Sequence, residues 1–285
     1  MQTGTSPVRI KQYPISPEGR KGLAPVIEQL LEEGILEPCM SPHNTPILAV
    51  KKAEGKYRLV QDLREVNKKT ITKYPVVQNP YTLLSQIPQE HAWFTIVDLK
   101  DAFWACPSAE ECRDWFAFEW EYPGKNRKQQ LRWTRLPQGF TKSPNLFGQA
   151  LERLLEQFNP KGPVRILQYV DDLLVSGEDQ DEVKTASIQV LNFLEEKGLR
   201  VSKRKLQFAE QEVTYLGHLI GKGYKKLSPE RIAGIQAIPA PKTKRDIRKL
   251  LGLFGYCRLW LDRYTQSVKF LYNKLINPAS RMDRR

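Results

Sequence analysis

Apolar residues in the first part of the chain recur with the spacing of a helix and then of two strands. From Pro17 to Leu36 they fall every three or four positions, and Gly34 is expected to end the helix. The apolar runs 47–52 and 57–60 flank a short polar turn. They predict a hairpin that carries basic residues near its tip.

Two apolar segments in the middle of the chain carry acidic residues at their ends. Residues 93–97 are rich in aromatic and β-branched side chains and predict a buried strand, which Asp98 closes. Farther on, the apolar runs 166–167 and 173–175 flank the sequence Tyr-Val-Asp-Asp at 169–172. This pattern predicts a second hairpin with two adjacent carboxylates at its tip.

The three carboxylates Asp98, Asp171 and Asp172 suggest a metal site. Adjacent carboxylates repel one another unless they share a cation, and carboxylate oxygens suit hard divalent ions. An Asp-Asp pair at a solvated turn is the alternative, because both residues tolerate turn geometry. The four cysteines and three histidines lack the spacing of a zinc site.

Two amphipathic helices are predicted around the second hairpin. Ser143 is expected to cap, and Pro144 to start, a helix that runs to Leu155. The segment 179–197 predicts the other helix, with Gly198 at its end. Strands that interleave with helices, long loops and hairpins argue against a regular doubly wound sheet.

The C-terminal third of the chain is helical in pattern and strongly basic. Ser228 opens a short helix, and Thr243 with Asp246 resembles a capping box ahead of a longer one. The formal charge of +13 divides into −1 for residues 1–199 and +14 for residues 200–285. Such a block suits a surface that follows a phosphate backbone, although a solubilising face or an acidic membrane surface would also account for it.

Composition predicts a globular protein in a reducing compartment. The chain has 285 residues, of which 40% are apolar and 10% aromatic. No apolar run approaches ~18 residues and no signal peptide is apparent, so we expect neither membrane insertion nor secretion. Four unpatterned cysteines fit a reducing environment.

Four motifs occur in order along the chain. They are Val60 to Lys68, Asp98 to Phe103, Leu136 to Phe140 followed by Ser143-Pro144, and Tyr169 to Asp172. Together they resemble the polymerase motifs of retroviral reverse transcriptases, and the gammaretroviral, murine leukaemia virus type in particular. The similarity extends from about Tyr13 to about Tyr272.

The resemblance implies an α+β fold of the right-hand polymerase type. Its palm would be an antiparallel sheet backed by helices, and its helical thumb would be truncated. The implied divisions are a flexible leader (1–12), fingers (13–92 and 108–141), palm (93–107 and 142–222) and partial thumb (223–285). The connection and ribonuclease H regions are expected to be absent.

The resemblance also implies roles for particular residues. Asp98, Asp171 and Asp172 would be catalytic and, with the Leu99 carbonyl, would hold two Mg²⁺ ions, with Mn²⁺ able to substitute. The nucleotide would contact Lys52, Arg58, Asp101, Ala102, Phe103 and Gln138, with Phe103 as the gate that excludes a ribose 2′-OH. Template and primer would contact Asp62, Arg64, Asn67, Tyr169, Leu216 and Gly217.

The implied function is that of an RNA-directed DNA polymerase core without ribonuclease H activity. Its expected partners are an RNA or DNA template-primer duplex and deoxynucleoside triphosphates, and it is expected to act as a monomer without a membrane. It would lie in the virion or cytoplasm if viral, and in the cytoplasm or nucleus if host-encoded. The alternatives are a domesticated or decaying retroviral fragment that binds nucleic acid without polymerising, and an integrase-like nuclease.

Overall fold

The structure is a computed structural model that describes residues 6–52, 55–71, 79–125, 127–258 and 263–276. Some residues of the predicted segments lie outside the described residues. They are 1–5 of the leader, 53–54, 72–78 and 126 of the fingers, and 259–262 and 277–285 of the thumb. Within the described ranges, no helix is both long and apolar enough to span a membrane.

Helices and strands alternate irregularly along the chain. The helices are α1 (Pro17–Glu32), α2 (Arg64–Lys68), α3 (Pro80–Ser85), α4 (Glu110–Arg113), α5 (Ser143–Leu155), α6 (Gln180–Glu196), α7 (Pro229–Gln236), α8 (Lys244–Cys257) and α9 (Tyr264–Ile276). The strands are β1 (Leu36–Pro38), β2 (Ile47–Lys51), β3 (Tyr57–Gln61), β4 (Trp93–Lys100), β5 (Phe118–Glu121), β6 (Lys128–Trp133), β7 (Arg165–Tyr169), β8 (Asp172–Gly177), β9 (Arg200–Val201), β10 (Gln207–Glu210), β11 (Val213–Tyr215), β12 (His218–Gly221) and β13 (Tyr224–Leu227).

The N-terminal part packs α1 against the β2–β3 hairpin and a three-stranded sheet of order β1-β6-β5. The predicted first helix and hairpin are therefore confirmed, with α1 ending before Gly34. The buried Gln61 amide joins the hairpin to the sheet, since it donates to Thr45 Oγ1 and the Phe116 carbonyl and accepts from Trp133 Nε1. A buried amide whose nitrogen and oxygen are both hydrogen-bonded in this way fixes one arrangement of the hairpin and the sheet.

The central sheet has the order β10-β4-β8-β7, and β9 pairs with the C-terminal end of β4. Every one of these pairings is antiparallel. Helices α5 and α6 cover one face, while α3 and the β11–β12–β13 sheet lie on the other. Because both faces are covered, β4 is buried along most of its length. The expected sheet backed by helices is confirmed.

Two local predictions were wrong. The strand β4 does not end at Val97 but continues to Lys100, because Leu99 and Lys100 pair with Val201 and Arg200 of β9. Asp98 therefore lies within the strand. Ser143 does not cap α5 but is its first residue, because its buried hydroxyl donates to the Pro137 carbonyl at 2.8 Å.

The remaining helix starts agree with the sequence. Asp179 caps α6, Ser228 caps α7, and Thr243 forms the predicted capping box with Asp246. Helix α8 packs on α9 through its apolar stripe, and the basic side chains of α8 other than Lys244 are exposed. The basic face predicted for this region is thus present on the surface.

Candidate active site

The antiparallel register of β4 and β8 places the three carboxylates at one edge of the central sheet. Asp98 lies directly opposite Asp172, and Asp171 occupies the turn between β7 and β8. Directly opposite residues of an antiparallel pair have Cβ atoms roughly 4.5–5.5 Å apart. The predicted convergence of these side chains is therefore confirmed by the register.

Burial and mutual repulsion make ionisation of these carboxylates unfavourable. Partial burial, followed by the negative charges of Asp171 and Asp98, raises the pKa of Asp172 to about 6. Burial is also the main cause that raises the pKa of Asp171. Half-buried carboxylates that repel one another in this way favour a cation that neutralises them.

Lys205 supplies one positive charge to this cluster. Its Nζ lies 2.9 Å from Asp98 Oδ2, and this hydrogen bond is the main cause that raises the pKa of Lys205. Lys205 could not be singled out from the sequence, since its only signal there is membership of a basic run, 203–205. No three His, Cys, Asp or Glu side chains of the described ranges already form a metal-holding group, but the three carboxylates have the donor chemistry that a hard divalent cation requires.

The turn between β7 and β8, which holds Val170 and Asp171, has an unusual backbone. Val170 has φ 56°, which is an outlier for a β-branched residue. The Leu99 N–H donates to the Asp171 carbonyl at 3.2 Å, so Leu99 connects β4 to this turn. Tyr169 ends β7 opposite Asp172 and, with Gln168, lines a cavity of about 720 Å³ between α3, α5 and β7.

The residues that follow β4 lie beside the carboxylate edge. Asp101 adopts a left-handed conformation with φ 52°, and Ala102 is buried at the start of a short 3-10 helix, Ala102–Ala105. Phe103 is only partly buried and packs edge-on against Phe147, with ring centroids 5.9 Å apart. The tight turn at Asp101 leads from the end of β4 directly into the short helix that carries Phe103.

The β2–β3 hairpin contacts the motif that follows β6. The Arg58 guanidinium donates to Gln138 Oε1 at 2.5 Å, so two of the predicted nucleotide-binding residues meet. Lys52 is exposed at the end of the same hairpin. The turn at Gly139 requires backbone freedom, since its φ is 91°.

The predicted template-binding residues of the first motif are engaged within the protein. Asp62 accepts bonds from Arg64 Nε at 2.8 Å and Nη2 at 2.6 Å, and the pair lowers the pKa of Asp62. Asn67 donates to the Gly139 carbonyl and accepts from the Thr141 N–H, each at 3.0 Å. Asn67 therefore braces the loop that carries Gln138.

Leu216 and Gly217 form the tight turn of the β11–β12 hairpin, with φ 50° and 76°. The Arg231 guanidinium donates to the Leu216 carbonyl at 3.3 Å. Tyr215 is buried and its hydroxyl lies 3.4 Å from the Asp172 carbonyl. This hairpin is therefore held close to the strand that carries Asp172.

Comparisons with known proteins agree with this geometry. The family model described as reverse transcriptase (RNA-dependent DNA polymerase) matches residues 50–220. The Gag-Pol polyprotein of Woolly monkey sarcoma virus is 46% identical over 274 residues, which are 95% of this chain and 16% of that protein. The Pol polyprotein of Feline endogenous virus ECE1 is 46% identical over 268 residues, 93% of this chain and 26% of that protein.

Solved structures of foamy viral protease-reverse transcriptase are also similar. The complex with double-stranded DNA has a TM-score of 0.81 at 34% identity, covering 95% of this chain and 46% of that one. The complex with an RNA/DNA hybrid has a TM-score of 0.77 at 32% identity, covering 96% and 36%.

The fold is that of a right-hand polymerase. Within that class, the chain belongs to the reverse transcriptase family. It spans about one-sixth of the length of the first of these retroviral polyproteins.

Replacing Asp172 by asparagine should stabilise the metal-free protein. The folded-state pKa is raised from 3.8 to about 6, so Asp172 costs stability that grows as the pH rises from about 4 to about 6 and is constant above that range. With allowance for solvent contact, Asp172→Asn should raise the free energy of unfolding by ~1–2 kcal/mol at about pH 8. The gain should be smaller at about pH 5, where folded Asp172 is neutral, and should vanish only below about pH 4, where Asp172 is neutral in the unfolded chain as well. Urea unfolding in a chelator measures both values.

The matched control is Asp181→Asn on α6, where the carboxylate is exposed and paired with Lys184. It should change unfolding little at either pH. An Asp172→Asn variant that is no more stable than this control at the higher pH would contradict the account of repulsion at the site.

Replacing Asn67 by alanine should loosen the loop at Thr141. The change removes the acceptor of the Thr141 N–H and one donor to Gly139. A single such hydrogen bond is worth about 1 kcal/mol, so amide exchange of Thr141 should become about fivefold faster. Hydrogen exchange resolved to single residues measures this, with the exposed Asn192→Ala on α6 as the control. Unchanged exchange at Thr141 would mean that Asn67 does not brace the loop.

Proposed function

We propose that this chain is the polymerase core of a reverse transcriptase, which extends a primer with deoxynucleotides on an RNA or DNA template. The observation that carries the proposal is the register that sets Asp98 opposite Asp172, with Asp171 in the adjoining turn. Membership of the reverse transcriptase family supports the same reaction.

The proposed cofactors are two Mg²⁺ ions, with Mn²⁺ able to substitute. Asp98, Asp171, Asp172 and the Leu99 carbonyl would hold them, in place of the charge that Lys205 now supplies. When bound, the ions would lower the pKa of the primer 3′-OH and neutralise charge on the leaving pyrophosphate. The raised pKa values of Asp171 and Asp172 support this assignment, because the cluster gains from a cation.

The proposed nucleotide site lies between the β2–β3 hairpin and the carboxylate edge. Lys52 and Arg58 would bind the triphosphate, after Arg58 exchanges its bond to Gln138 for a phosphate oxygen. The backbone at Asp101 and Ala102 would approach the same phosphates. Gln138 would then contact the nucleotide itself.

Phe103 is proposed to select the sugar. Its ring is partly exposed on the short helix that follows β4 and packs against Phe147. In the proposed site this ring would leave no space for a ribose 2′-OH. Discrimination would therefore be steric, and it would depend on the ring more than on any polar group.

The proposed template-primer surface combines the first motif, the β7–β8 hairpin, the β11–β12 turn and the basic C-terminal helices. Its residues are Asp62, Arg64, Asn67, Tyr169, Leu216 and Gly217. The exposed bases of α8 would follow the phosphate backbone. The foamy viral structures hold double-stranded DNA and an RNA/DNA hybrid, which supports a duplex ligand here.

The subdomain limits remain part of the proposal. We assign the fingers to 13–92 and 108–141, the palm to 93–107 and 142–222, and the thumb region to 223–285. The chain would act as a monomer, in the virion or cytoplasm. The alternative of a retroviral fragment that only binds nucleic acid is less favoured, because all three carboxylates are present and converge.

Primer extension tests the proposed function directly. A labelled DNA primer on an RNA template should be extended with deoxynucleotides and Mg²⁺ or Mn²⁺. Asp171→Asn should reduce the rate by about 1,000-fold or more, because it removes a charge that a metal requires. Duplex binding should change little, since the basic helices are untouched.

Asp181→Asn provides the matched loss of one charge away from the site and should retain full activity. Equal activity of the Asp171→Asn variant and the wild type would refute the metal assignment. Salt-sensitive duplex binding without extension by the wild type would favour the binding-only fragment.

Phe103→Val should admit ribonucleotides. The smaller side chain removes the ring that would meet the 2′-OH, so the ratio of kcat/KM for deoxynucleotides over ribonucleotides should fall by about 100-fold, worth about 3 kcal/mol. Phe103→Tyr keeps the ring and should retain the discrimination. Single-nucleotide insertion kinetics measure both variants. A Val variant as selective as the wild type would remove Phe103 from this role.

A further inference from the structure

Gln168 lies on β7, immediately before the Tyr-Val-Asp-Asp sequence, and its side chain turns back onto the β7–β8 turn. Its Nε2 lies 2.9 Å from the Gly148 carbonyl of α5 and 3.1 Å from the Val170 carbonyl. Both partners are acceptors, so the amide orientation is fixed with the NH₂ group towards them. One side chain therefore connects the turn to the helix behind it.

The turn needs such support because of its backbone. Val170 adopts φ 56°, a region that β-branched residues rarely enter and that persists only when surrounding contacts hold it. Without the hydrogen bond from Gln168, the Val170 peptide would be held less firmly in this orientation. A rotation there would redirect the carboxylates of the two residues that follow.

Three consecutive carbonyls of this segment accept hydrogen bonds from three different elements. Gln168 donates to Val170, the Leu99 N–H of β4 donates to Asp171, and the Tyr215 hydroxyl of β11 approaches Asp172 at 3.4 Å. The bond from β4 is a backbone bond, and the buried Tyr215 also fills the core. Gln168 is the partly exposed member, so its polar contribution can be changed with the least disturbance to packing.

We infer that Gln168 is a positioning residue for the catalytic carboxylates: through Val170 it fixes the direction in which Asp171 and Asp172 point. Gln168 touches neither the substrate nor a metal in this role. The catalytic consequence rests on the proposed function, whereas the effect on cation binding does not. The competing explanation is that Gln168 only fastens α5 to the sheet through Gly148.

Two variants separate these explanations. Gln168→Glu keeps the shape but turns a carboxylate oxygen towards two carbonyls, and Gln168→Met removes both donors without adding charge. Gln149→Glu is the matched control, because Gln149 is exposed on α5 and lines the same cavity. It adds the same charge without touching the turn.

The first readout is Mn²⁺ affinity by electron paramagnetic resonance, without nucleotide or duplex. The second is primer extension, with kcat, the KM for deoxynucleotide and the duplex Kd determined separately below the Tm of every variant. Both Gln168 variants should lose about 10- to 100-fold in Mn²⁺ affinity and in kcat, as is common when support of a metal ligand is removed. The KM, the duplex Kd and all properties of Gln149→Glu should stay within about twofold of the wild type.

Several results would overturn the inference. If both variants keep the Mn²⁺ affinity and kcat of the wild type, with or without a lower Tm, Gln168 has only a packing role. The same conclusion would follow if neither variant folds. A wild type that does not bind Mn²⁺ would remove the inference together with the metal assignment. A wild type that binds Mn²⁺ but does not extend primers would refute the proposed function, while the Mn²⁺ affinities would still decide the role of Gln168.

Discussion

Repulsion among three carboxylates at one edge of the central sheet is the constraint that the rest of the site must offset. The register of β4 with β8 places Asp98 opposite Asp172 on strands that are otherwise buried. Partial burial makes the charges more costly, and Lys205 offsets one of them. The sheet therefore holds an arrangement that is unfavourable by itself and that the proposed cations would stabilise.

Such an arrangement requires a rigid support, which the two covered faces of the sheet provide. Thr95 in β4 illustrates it, because its buried hydroxyl accepts from Ser187 of α6 at 2.8 Å and from the Ala209 N–H of β10 at 2.9 Å. The strand is thus fixed by polar contacts as well as by packing. Carboxylates on such a strand cannot move apart to relieve their repulsion, so the free energy is available for cation binding.

The sequence predicted the elements whose signals are local. The β2–β3 hairpin, α6 and the Thr243 capping box follow from alternation, periodicity and end residues within a few positions. Features that depend on distant partners were missed. The extension of β4 to Lys100 needs β9, and the Lys205 contact with Asp98 joins residues 107 positions apart. Carboxylate convergence was predictable because each acidic residue adjoined its own apolar strand, whereas the bracing roles of Gln168 and Asn67 required coordinates.

Two side-chain contacts at the site, those of Lys205 and Arg58, can be exchanged for contacts with the proposed ligands. Lys205 and Arg58 are both exposed. Lys205 is bonded to Asp98, which would bind a metal ion in the proposed reaction, and Arg58 is bonded to Gln138, which would contact the nucleotide. Contacts of exposed cations are weak, so replacing them by a metal or a phosphate costs little. By contrast, the backbone of the β7–β8 turn is held by hydrogen bonds that need not break. The site thus combines replaceable charges with a fixed frame, which lets it select its ligands without refolding.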